Sequence, residues 1–351
     1  MNDKVIAIPS PARLRLDSSA LVGNWRNLNK MSGRASTGAA IKANAYGLGA
    51  VEVFRYLQAA GCSDFFVANW QEAKELEAEI KSGTRLSVLN GVRQEDMPYA
   101  LLSAAKPVLN SLEQAQRWQE TGLPCDVMVN SGMNRLGVNV PDLGQFDWST
   151  LDIDIVMSHL ASADEDSPQN ADQLAQYTAA LKHIPGKRAS LGNSAGIALG
   201  SAYHFDCTRP GLSLYGGQQR PELSGSIQQV VFPEAQILQV RMLKSGDKVG
   251  YNALYTATRE HPIAILAMGY ADGYLLGFSN QGIFYNEEAE LPVLGKVSMD
   301  LIAVDISNAP HLKESDWVRA EYDLPCASAL SGISQYELIT SLGNRYARYW
   351  T

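Results

Sequence analysis

The sequence predicts a two-domain α/β fold: a TIM-like (β/α)8 barrel over residues 1–225, followed by a mostly-β domain over residues 226–351. Two observations predict this fold. Over the first 215 residues, short β-rich runs alternate with helical patterns, and after about residue 225 the strand-like segments lack intervening helices. An open doubly wound sheet is the alternative for the first domain, and the first residues of the chain could instead pack on the β domain.

Eight β-rich runs supply the strands of the first domain. The segments between them are amphipathic, and NWQEAKELEAEIKSG and SLEQAQRWQETG both end at a glycine, as helices often do. Eight such units favour a closed barrel over an open sheet. In chain order the runs are TGAAIKA (37–43), DFFVA (64–68), RLSVLN (85–90), KPVLN (106–110), CDVMVN (125–130), IDIVMSH (153–159), KRASLGN (187–193) and DCTRPGLSLY (206–215).

The second domain is predicted from strand-like segments separated by Gly, Asn, Asp and Pro turns. They are EAQILQVRMLKSGDKVGYNALYTA, HPIAILAMGYADGY, GIFYNEEAELPVLGKVSMDLIAVDIS and SDWVRAEYD. The final SQYELITSLGNRYARYW indicates a short helix and a tail. No low-complexity segment or evident linker separates the two domains, which predicts that they pack tightly.

The composition excludes several classes of function. Hydrophobic residues make up 46% of the chain, charged residues 19%, and the net charge is -8, so a basic face for nucleic acid or an anionic membrane is not expected. No apolar run is long enough for a membrane span, and no secretory signal is evident, which predicts a cytoplasmic protein. The four cysteines form no CxxC pair and the five histidines are scattered, so we expect buried free thiols and no metal.

The residues that follow the predicted strands are the candidates for chemistry, because the C-terminal strand ends of a barrel surround one mouth. Each has an ordinary explanation: a surface lysine, a surface ion pair for the arginine after the fifth run, a hydrogen-bonded core histidine, or a serine N-cap. Their convergence on one rim favours a site. The candidates are Lys42, Arg135, His159, Asn193, Ser194, Arg209 and Gly211.

The glycine-rich segments GNSAG and RPGLSLYGG follow the seventh strand and lie in the eighth run, where barrels commonly bind phosphate with backbone N–H groups. A lysine at such a mouth would be desolvated. Desolvation lowers the pKa of the amine and makes it a nucleophile toward an aldehyde. Pyridoxal 5′-phosphate is an aldehyde that carries a phosphate, so this cofactor fits the pattern.

These motifs resemble those of the alanine racemases, the barrel-type pyridoxal-phosphate enzymes. The stretch IKANAYGLG matches the family's cofactor-lysine signature. Further blocks occur in the family's order, and the resemblance covers about residues 12–345. These blocks are SGMNRLG, SHLASADE, NSAG, RPGLSLYG, VGYNALYTA, GYADGY and GKVSMD.

The resemblance implies two catalytic bases. Lys42 would hold the cofactor covalently and exchange the α-proton on the D-alanine side, and Tyr251 would be the base on the L side. Racemisation requires bases on opposite faces of a planar carbon. Arg209 would face the pyridine nitrogen; because a guanidinium does not give up its proton, the ring nitrogen would stay unprotonated, which limits transamination.

The resemblance also implies the binding residues. Arg135 would bind the cofactor's phenolic oxygen and the substrate carboxylate, and His159 would lie near the ring, linking Arg209 to Tyr251. Met299 would offer its backbone N–H to that carboxylate. The remaining cofactor residues would be Tyr46, Asn193, Ser194, Gly211 and Leu212.

A homodimer follows from the same resemblance. In the family, the residues that match Tyr251, Tyr270 and Met299 reach the active site of the other subunit, with Tyr270 lining the substrate entrance. The family's role is the supply of D-alanine for peptidoglycan, and catabolic use of D-alanine is equally compatible.

The chain departs from the family's pattern at four places. Met128 stands where many members have a carbamylated lysine, and Asn130 replaces an aspartate, so Arg135 would be oriented by Asn130, an anion or water. Ser298 replaces a frequent cysteine. The C-terminal tyrosine that often touches the phosphate aligns with Asn344, with Tyr346 close by.

Other functions remain open. A broad-specificity, serine or lysine racemase of the same fold is the nearest alternative. A barrel-type decarboxylase of basic amino acids would be longer and would lack the tyrosine of GYNALY. A non-catalytic pyridoxal-phosphate carrier would lack residues 226–351, and a purely structural barrel would need neither Lys42 nor Arg209 at its mouth.

Overall fold

The computed structural model describes residues 8–351. Contacts divide these residues into two compact units: Ala20–Gln228, and the residues up to Ser19 together with Gln229–Thr351. The functional domain limits 1–225 and 226–351 stay a prediction, and residues 1–7 lie outside the described residues. No described helix has the length and apolar character that crossing a membrane requires.

Twenty strands and nine right-handed α-helices are described. The helices are Ser18–Met31, Ala50–Ala60, Trp70–Leu76, Met97–Ala100, Leu112–Gln119, Pro168–Ala180, Ser194–Ala198, Leu324–Ser331 and Gln335–Thr340. The strands are β1 (Ala12–Leu16), β2 (Ser36–Thr37), β3 (Ala39–Ala40), β4 (Asp64–Val67), β5 (Arg85–Val88), β6 (Lys106–Leu109), β7 (Cys125–Asn130), β8 (Val138–Asn139), β9 (Ile153–Met157), β10 (Arg188–Ser190), β11 (Cys207–Thr208), β12 (Val231–Leu243), β13 (Lys248–Val249), β14 (Tyr255–Thr256), β15 (His261–Leu266), β16 (Ile283–Asn286), β17 (Ala289–Leu294), β18 (Ile302–Asp305), β19 (Trp317–Ala320) and β20 (Ala347–Trp350).

The first unit contains a parallel sheet with helices between its strands. Its strand order is β10-β9-β7-β6-β5-β4-β3, with β8 paired to β7, and β11 pairs in parallel with β2. Each of the eight predicted runs contains a strand, so the prediction of a parallel α/β unit is confirmed. Parallel strands all end on the same side of the sheet, which places the residues after them at one edge.

Backbone hydrogen bonds continue beyond the two ends of this sheet. They join the seventh run to the eighth and the eighth to the first. The pairs, amide donor first, are Asp206 with Ala189, Arg209 with Gly192, Ser36 with Asp206, Gly38 with Thr208 and Ala40 with Pro210.

Apolar side chains from several strands pack together in the interior of this unit. Met128, where the resemblance implies a carbamylated lysine in many members, belongs to this cluster and is 8% exposed. A thioether there fills core volume and carries no charge, so Met128 cannot act on Arg135 electrostatically. The cluster consists of Phe66, Val108, Met128, Ile155, Met157 and Cys207.

Charged side chains gather at the opposite, amino ends of the strands. The buried Asp64 accepts from Arg85 at 2.7 and 2.9 Å and from Arg188 at 2.8 and 3.1 Å. The ammonium of Lys106 contacts Asp126 at 2.7 Å and also Asp154. Ion pairs at this end of such a fold serve stability rather than chemistry. The fold therefore separates an ion-pair cluster from the edge that carries the candidate site.

Replacing Lys106 with methionine is expected to destabilise the protein by about 3–5 kcal/mol, because Asp126 would remain buried without its cation. Denaturant unfolding measures this loss. Lys182→Met, at an exposed lysine, is the control and should change the unfolding free energy by less than about 0.5 kcal/mol. Equal stability of the two variants would contradict a structural role for the cluster.

The second unit is a closed sheet whose strands pair antiparallel except for β1 and β20, which pair in parallel. Its order is β15-β18-β17-β16-β19-β12-β1-β20, and β15 also pairs with β12, which closes the sheet. Strand β12 is long enough to pair with β1 through its first half and with β15 through its second. The prediction of a mostly-β part after the parallel unit is confirmed, and the last strand β20 joins it alongside β1.

One sequence prediction about the cysteines is wrong. Cys62, Cys125 and Cys207 are buried free thiols as expected, but Cys326 is exposed. Cys326 lies in the short helix Leu324–Ser331, where Leu324 and Ala327 are buried and the cysteine falls on the outer face.

Candidate active site

Lys42 lies just after β3 and begins an unusual turn. The next four residues all have left-handed backbone angles, with φ of 52° at Ala43, 54° at Asn44, 52° at Ala45 and 56° at Tyr46. Consecutive L-residues rarely adopt this conformation because Cβ crowds the carbonyl oxygen. Of the four, only asparagine favours it, so the sequence did not predict the turn. Strain of this kind is typical of functional sites.

The turn is held by its own hydrogen bonds. The Ala45 amide donates to the Ile41 carbonyl at 2.8 Å, and the Gly49 amide donates to the Asn44 carbonyl at 3.0 Å. The side chain of Asn44 accepts from the Ala50 amide at 2.7 Å, which fixes the start of the next helix. These contacts place the Lys42 side chain at the edge where the parallel strands end.

Basic neighbours lower the pKa of both Lys42 and His159 at this edge. Burial and the charge of Arg135 lower the pKa of Lys42, and the carboxylate of Glu72 partly opposes them. Burial and the charges of Arg209, Arg135 and Lys42 lower the pKa of His159 to about 3. His159 is therefore neutral at physiological pH, and the edge is strongly electropositive.

Arg209 is a buried guanidinium held by neutral partners. It donates to the Ser190 hydroxyl and, at 2.5 Å, to the carbonyl of Ser158. Burial lowers its pKa, and it forms no salt bridge with any residue that the structure describes. A buried cation without a carboxylate is costly unless a ligand supplies an acceptor.

Ser194 joins the ends of the seventh and eighth strands. Its hydroxyl oxygen accepts from the amides of Gly211 at 3.0 Å and Ser213 at 3.2 Å, which leaves its own proton free to be donated to an anion. The N-cap of helix Ser194–Ala198 is Asn193, which accepts from the Gly196 amide at 2.8 Å. The ordinary explanation of Ser194 as an N-cap is thus excluded.

Tyr46 reaches the same place from the first strand. Its ring packs against Tyr215 with centroids 4.8 Å apart, and the Tyr215 hydroxyl donates to the Ala40 carbonyl at 2.9 Å. A Cβ on Gly211 would lie 2.3 Å from the Tyr46 hydroxyl oxygen. Only glycine at position 211 therefore permits the phenol and the backbone amides to converge.

This geometry fits pyridoxal phosphate. The cradle places the Ser194 hydroxyl, whose oxygen already accepts from two amides and whose proton is left to donate, and the Tyr46 phenol beside Gly211, where the missing side chain leaves room for a phosphate. Lys42 supplies an amine of lowered pKa for the aldehyde, and Arg209 supplies a donor without a carboxylate partner.

Replacing Gly211 with alanine is expected to weaken cofactor binding at least about tenfold, because the methyl group would displace the Tyr46 hydroxyl from the cradle. Titration of the cofactor-free protein with pyridoxal phosphate, followed by absorbance, measures the affinity. Gly144→Ala is the control, since no atom lies within 4 Å of its added Cβ. Wild-type affinity in Gly211→Ala would mean that the phosphate binds elsewhere.

Arg135 lies in the loop after β7, and its guanidinium makes no hydrogen bond or ion pair with the described residues. The candidate for orienting it, Asn130, instead holds the loop itself. The side-chain oxygen of Asn130 accepts from the backbone amides of Gly132 and Asn134. Its side-chain NH2 donates to the side-chain oxygens of Asn134 and Asn139, both at 2.9 Å. Asn130 thus fixes the loop backbone and leaves the arginine available to a ligand.

The second unit brings two of its predicted residues together. The Tyr270 amide donates to the Ser298 carbonyl at 3.0 Å, and the Ala271 amide donates to the Met299 carbonyl at 3.0 Å.

Arg345 forms ion pairs beside these two loops. It binds Asp272 in a bidentate contact at 2.7 and 2.8 Å and Asp300 at 2.6 Å. No sequence pattern predicted this arginine, because its partners are 73 and 45 residues away in the chain.

The loops of Tyr251 and Met299 are linked through one asparagine. Asn280 donates to the Leu254 carbonyl at 3.3 Å and accepts from the Gly295 amide at 2.5 Å. The side chains of Tyr251 and Met299 are 68% and 53% exposed. The second unit therefore presents the predicted residues on connected surface loops.

Asn344 and Tyr346 are the two candidates for the C-terminal residue that would touch the phosphate. Asn344 is exposed, whereas Tyr346 is buried, and the Tyr346 hydroxyl has no hydrogen-bonding partner among the described atoms. Burial raises the pKa of Tyr346 well above its usual value, so this phenol stays protonated. Ser298 closes a turn by donating to the Leu301 carbonyl at 2.6 Å.

A parallel α/β unit with a lysine of lowered pKa, a buried arginine that has no carboxylate partner among the described residues, and a cradle of hydroxyl groups beside a glycine has the features of a pyridoxal-phosphate-dependent enzyme. The family models agree: residues 16–219 match "Alanine racemase, N-terminal domain", and residues 230–350 match "Alanine racemase, C-terminal domain". The chain belongs to the alanine racemase family. Membership confirms the predicted racemase function and isomerase class.

Individual relatives support this assignment. The chain is 37% identical to an alanine racemase of Rickettsia bellii over 335 residues, covering 90% of this chain and 81% of the relative. It is 38% identical to one of Cereibacter sphaeroides, covering 96% and 97%. The crystal structure of the Bartonella henselae alanine racemase, which has covalently bound pyridoxal phosphate, superposes with a TM-score of 0.90 at 33% identity, covering 98% and 100%. The predicted cofactor is thereby confirmed.

Proposed function

We propose that this chain interconverts L- and D-alanine by a two-base mechanism, with Lys42 and Tyr251 as the bases. The observation that carries the proposal is the lysine itself, whose amine has a pKa lowered by burial and by Arg135 at the end of the first strand. When bound, pyridoxal phosphate stabilises the negative charge that develops on the α-carbon as its proton leaves. The chain's own groups supply proton transfer and orientation.

We propose that Lys42 holds the cofactor and exchanges the proton on the D face. A lowered pKa increases the neutral fraction of the amine near pH 7, and only the neutral form accepts a proton. The Tyr251 hydroxyl would exchange the proton on the opposite face. Its position on a surface loop of the second unit supports a contribution to another subunit.

The binding roles follow from the contacts of the first unit. Ser194, Tyr46, Asn193 and the segment Gly211–Leu212 would hold the phosphate. Two observations support this cradle: the Ser194 hydroxyl has a proton left to donate, and a Cβ on Gly211 would collide with the Tyr46 hydroxyl. His159, neutral because its pKa is about 3, would lie near the ring without adding charge.

The substrate's carboxylate would be bound by Arg135 and by the Met299 amide. The guanidinium of Arg135 has no hydrogen-bonding partner among the described residues, which leaves its donors available to a carboxylate. Arg209 would meet the pyridine nitrogen as a permanent cation. Since it cannot protonate that nitrogen, we infer that racemisation is favoured over transamination.

We propose that the enzyme is a homodimer in which Tyr251, Tyr270 and Met299 reach the active site of the partner subunit. All three side chains are exposed, as are Leu254 and Leu301 on the same loops, at 51% and 42%. An exposed apolar surface of this kind is typical of an interface. An inactive monomer is expected on dissociation.

Three further points belong to this proposal. We infer that the parallel unit is a closed (β/α)8 barrel, which the hydrogen bonds joining the seventh, eighth and first runs support. We also infer a cytoplasmic enzyme that supplies D-alanine for peptidoglycan. These expectations rest on the family resemblance and on the free thiols.

The substrate is tested with a panel of L-amino acids, using chiral chromatography to follow formation of the D-enantiomers. Alanine is expected to turn over fastest. If serine or lysine turned over faster than alanine, the assignment of alanine as the preferred substrate would be wrong and the alternative racemase would be correct.

A further inference from the structure

The carboxylate of Glu72 connects two neighbouring strand ends. Its Oε1 accepts from the Ala43 amide at 2.9 Å, and its Oε2 accepts from the Ala68 amide at 2.7 Å. Glu72 is itself anchored in the first turn of helix Trp70–Leu76, where its own amide donates to the N-cap Asn69 at 3.0 Å. One side chain therefore joins the turn after β3 to the segment after β4.

The contact with Ala43 falls at the start of the left-handed turn. Ala43 directly follows Lys42, and its φ of 52° is the first of four positive values. Alanine has no local means of favouring this conformation, so the surrounding contacts must hold it. A hydrogen bond from the Ala43 amide to a carboxylate is charge-assisted and stronger than a neutral one.

We propose that Glu72 is a positioning residue for Lys42, and that its paired hydrogen bonds hold the left-handed turn and thereby fix where the lysine amine lies. The proposal rests on the proposed role of Lys42. It assigns Glu72 no contact with substrate or cofactor.

Glu72 also has an electrostatic effect on Lys42. The groups that act on the amine are Arg135, which lowers its pKa, and Glu72, which raises it, with burial as the largest lowering cause. The neighbouring His159 is neutral because its own pKa is about 3. Loss of the Glu72 charge would therefore lower the pKa of Lys42 further.

Glu72→Gln tests the proposal, and Glu75→Gln is the matched control. Glu75 lies on the same helix and is exposed, so its replacement removes an equal charge without touching the turn. Hydrogen exchange of the cofactor-free protein, measured by mass spectrometry over residues 42–50, reports the turn directly. We expect at least about tenfold faster exchange in Glu72→Gln and no change in Glu75→Gln.

Kinetics supply the second measurement. In Glu72→Gln, kcat is expected to fall about tenfold with a smaller change in KM, and the acid limb of the kcat–pH profile is expected to move to lower pH. Glu72→Asp restores the charge but is too short to reach both amides. It is expected to restore the pH profile while exchange over residues 42–50 stays fast.

Two outcomes would overturn the positioning role. One is wild-type exchange over residues 42–50 in Glu72→Gln; the other is wild-type exchange and kcat in Glu72→Asp, which would leave only a charge effect. Because exchange is measured without cofactor, failure of the proposed role of Lys42 would leave that result unchanged. If Glu72→Gln does not fold, Glu72→Asp alone decides the point by its exchange.

Discussion

Replacing Lys42 with alanine is expected to abolish racemisation in both directions, with a loss of at least about 10⁴-fold in kcat. The amine carries two proposed roles, attachment of the cofactor and proton exchange on the D face. Among the charged groups that the structure describes, those that shift the pKa of Lys42 are Arg135 and Glu72, and neither is a lysine that could form the same bond to the cofactor.

Covalent attachment of the cofactor to Lys42 can be measured separately from racemase activity. Borohydride reduction of the wild-type enzyme followed by peptide mass spectrometry is expected to find the cofactor's mass on Lys42, and Lys42→Ala should carry none. Lys30→Ala, at an exposed lysine, should retain both label and activity. A labelled peptide elsewhere in wild type would show that another lysine holds the cofactor, and normal turnover by Lys42→Ala would refute the mechanism.

Periodicity and strand-end residues were enough to predict most of the fold and the location of the candidate site. The eight runs were recognisable because buried strands of a parallel unit are short and apolar, and each does contain a strand. Because such strands end at one edge, the sequence also predicted that Lys42, His159, Arg209 and Ser194 would converge. The effect of the Lys42 and Arg209 charges on the pKa of His159, and the hydrogen bond that joins Ser194 to Gly211 two residues after Arg209, are consistent with that convergence.

The supporting residues could not be predicted, because they act through distant or non-periodic contacts. The left-handed turn follows from no local preference of Ala43, Ala45 or Tyr46. Glu72 looks like an ordinary first-turn glutamate, and Arg345 lies 73 residues from the Asp272 that it binds. Sequence patterns identify residues by type and spacing, whereas these contacts depend on the folded geometry.

The position of Met128 in the core bears on what orients the Arg135 guanidinium. An apolar side chain that is 8% exposed cannot replace the charge of a carbamylated lysine, and Asn130 is occupied by the loop backbone. The free donors of Arg135 must then be satisfied by ligand or solvent. Its orientation is therefore expected to depend on the bound substrate.

Replacing Tyr251 with phenylalanine is expected to separate the two bases. Removal of the hydroxyl leaves Lys42 and the cradle intact, so cofactor binding should not change. Racemisation is expected to fall by about 10³-fold, because no proton can be exchanged on the L face. Tyr251 is 68% exposed, so the substitution should have little effect on stability.

Isotope exchange in D2O gives the sharpest measurement of this asymmetry. In Tyr251→Phe, D-alanine should still exchange its α-proton for deuterium through Lys42, while L-alanine should exchange at a rate reduced in parallel with racemisation. Tyr255→Phe is the control and should behave as wild type. The hydroxyl that it removes lies 3.3 Å from His261 Nε2. Equal loss of exchange from both enantiomers would mean that one base serves both faces. Retention of D-alanine exchange alone requires two bases, because a single base would have to reach both sides of the α-carbon.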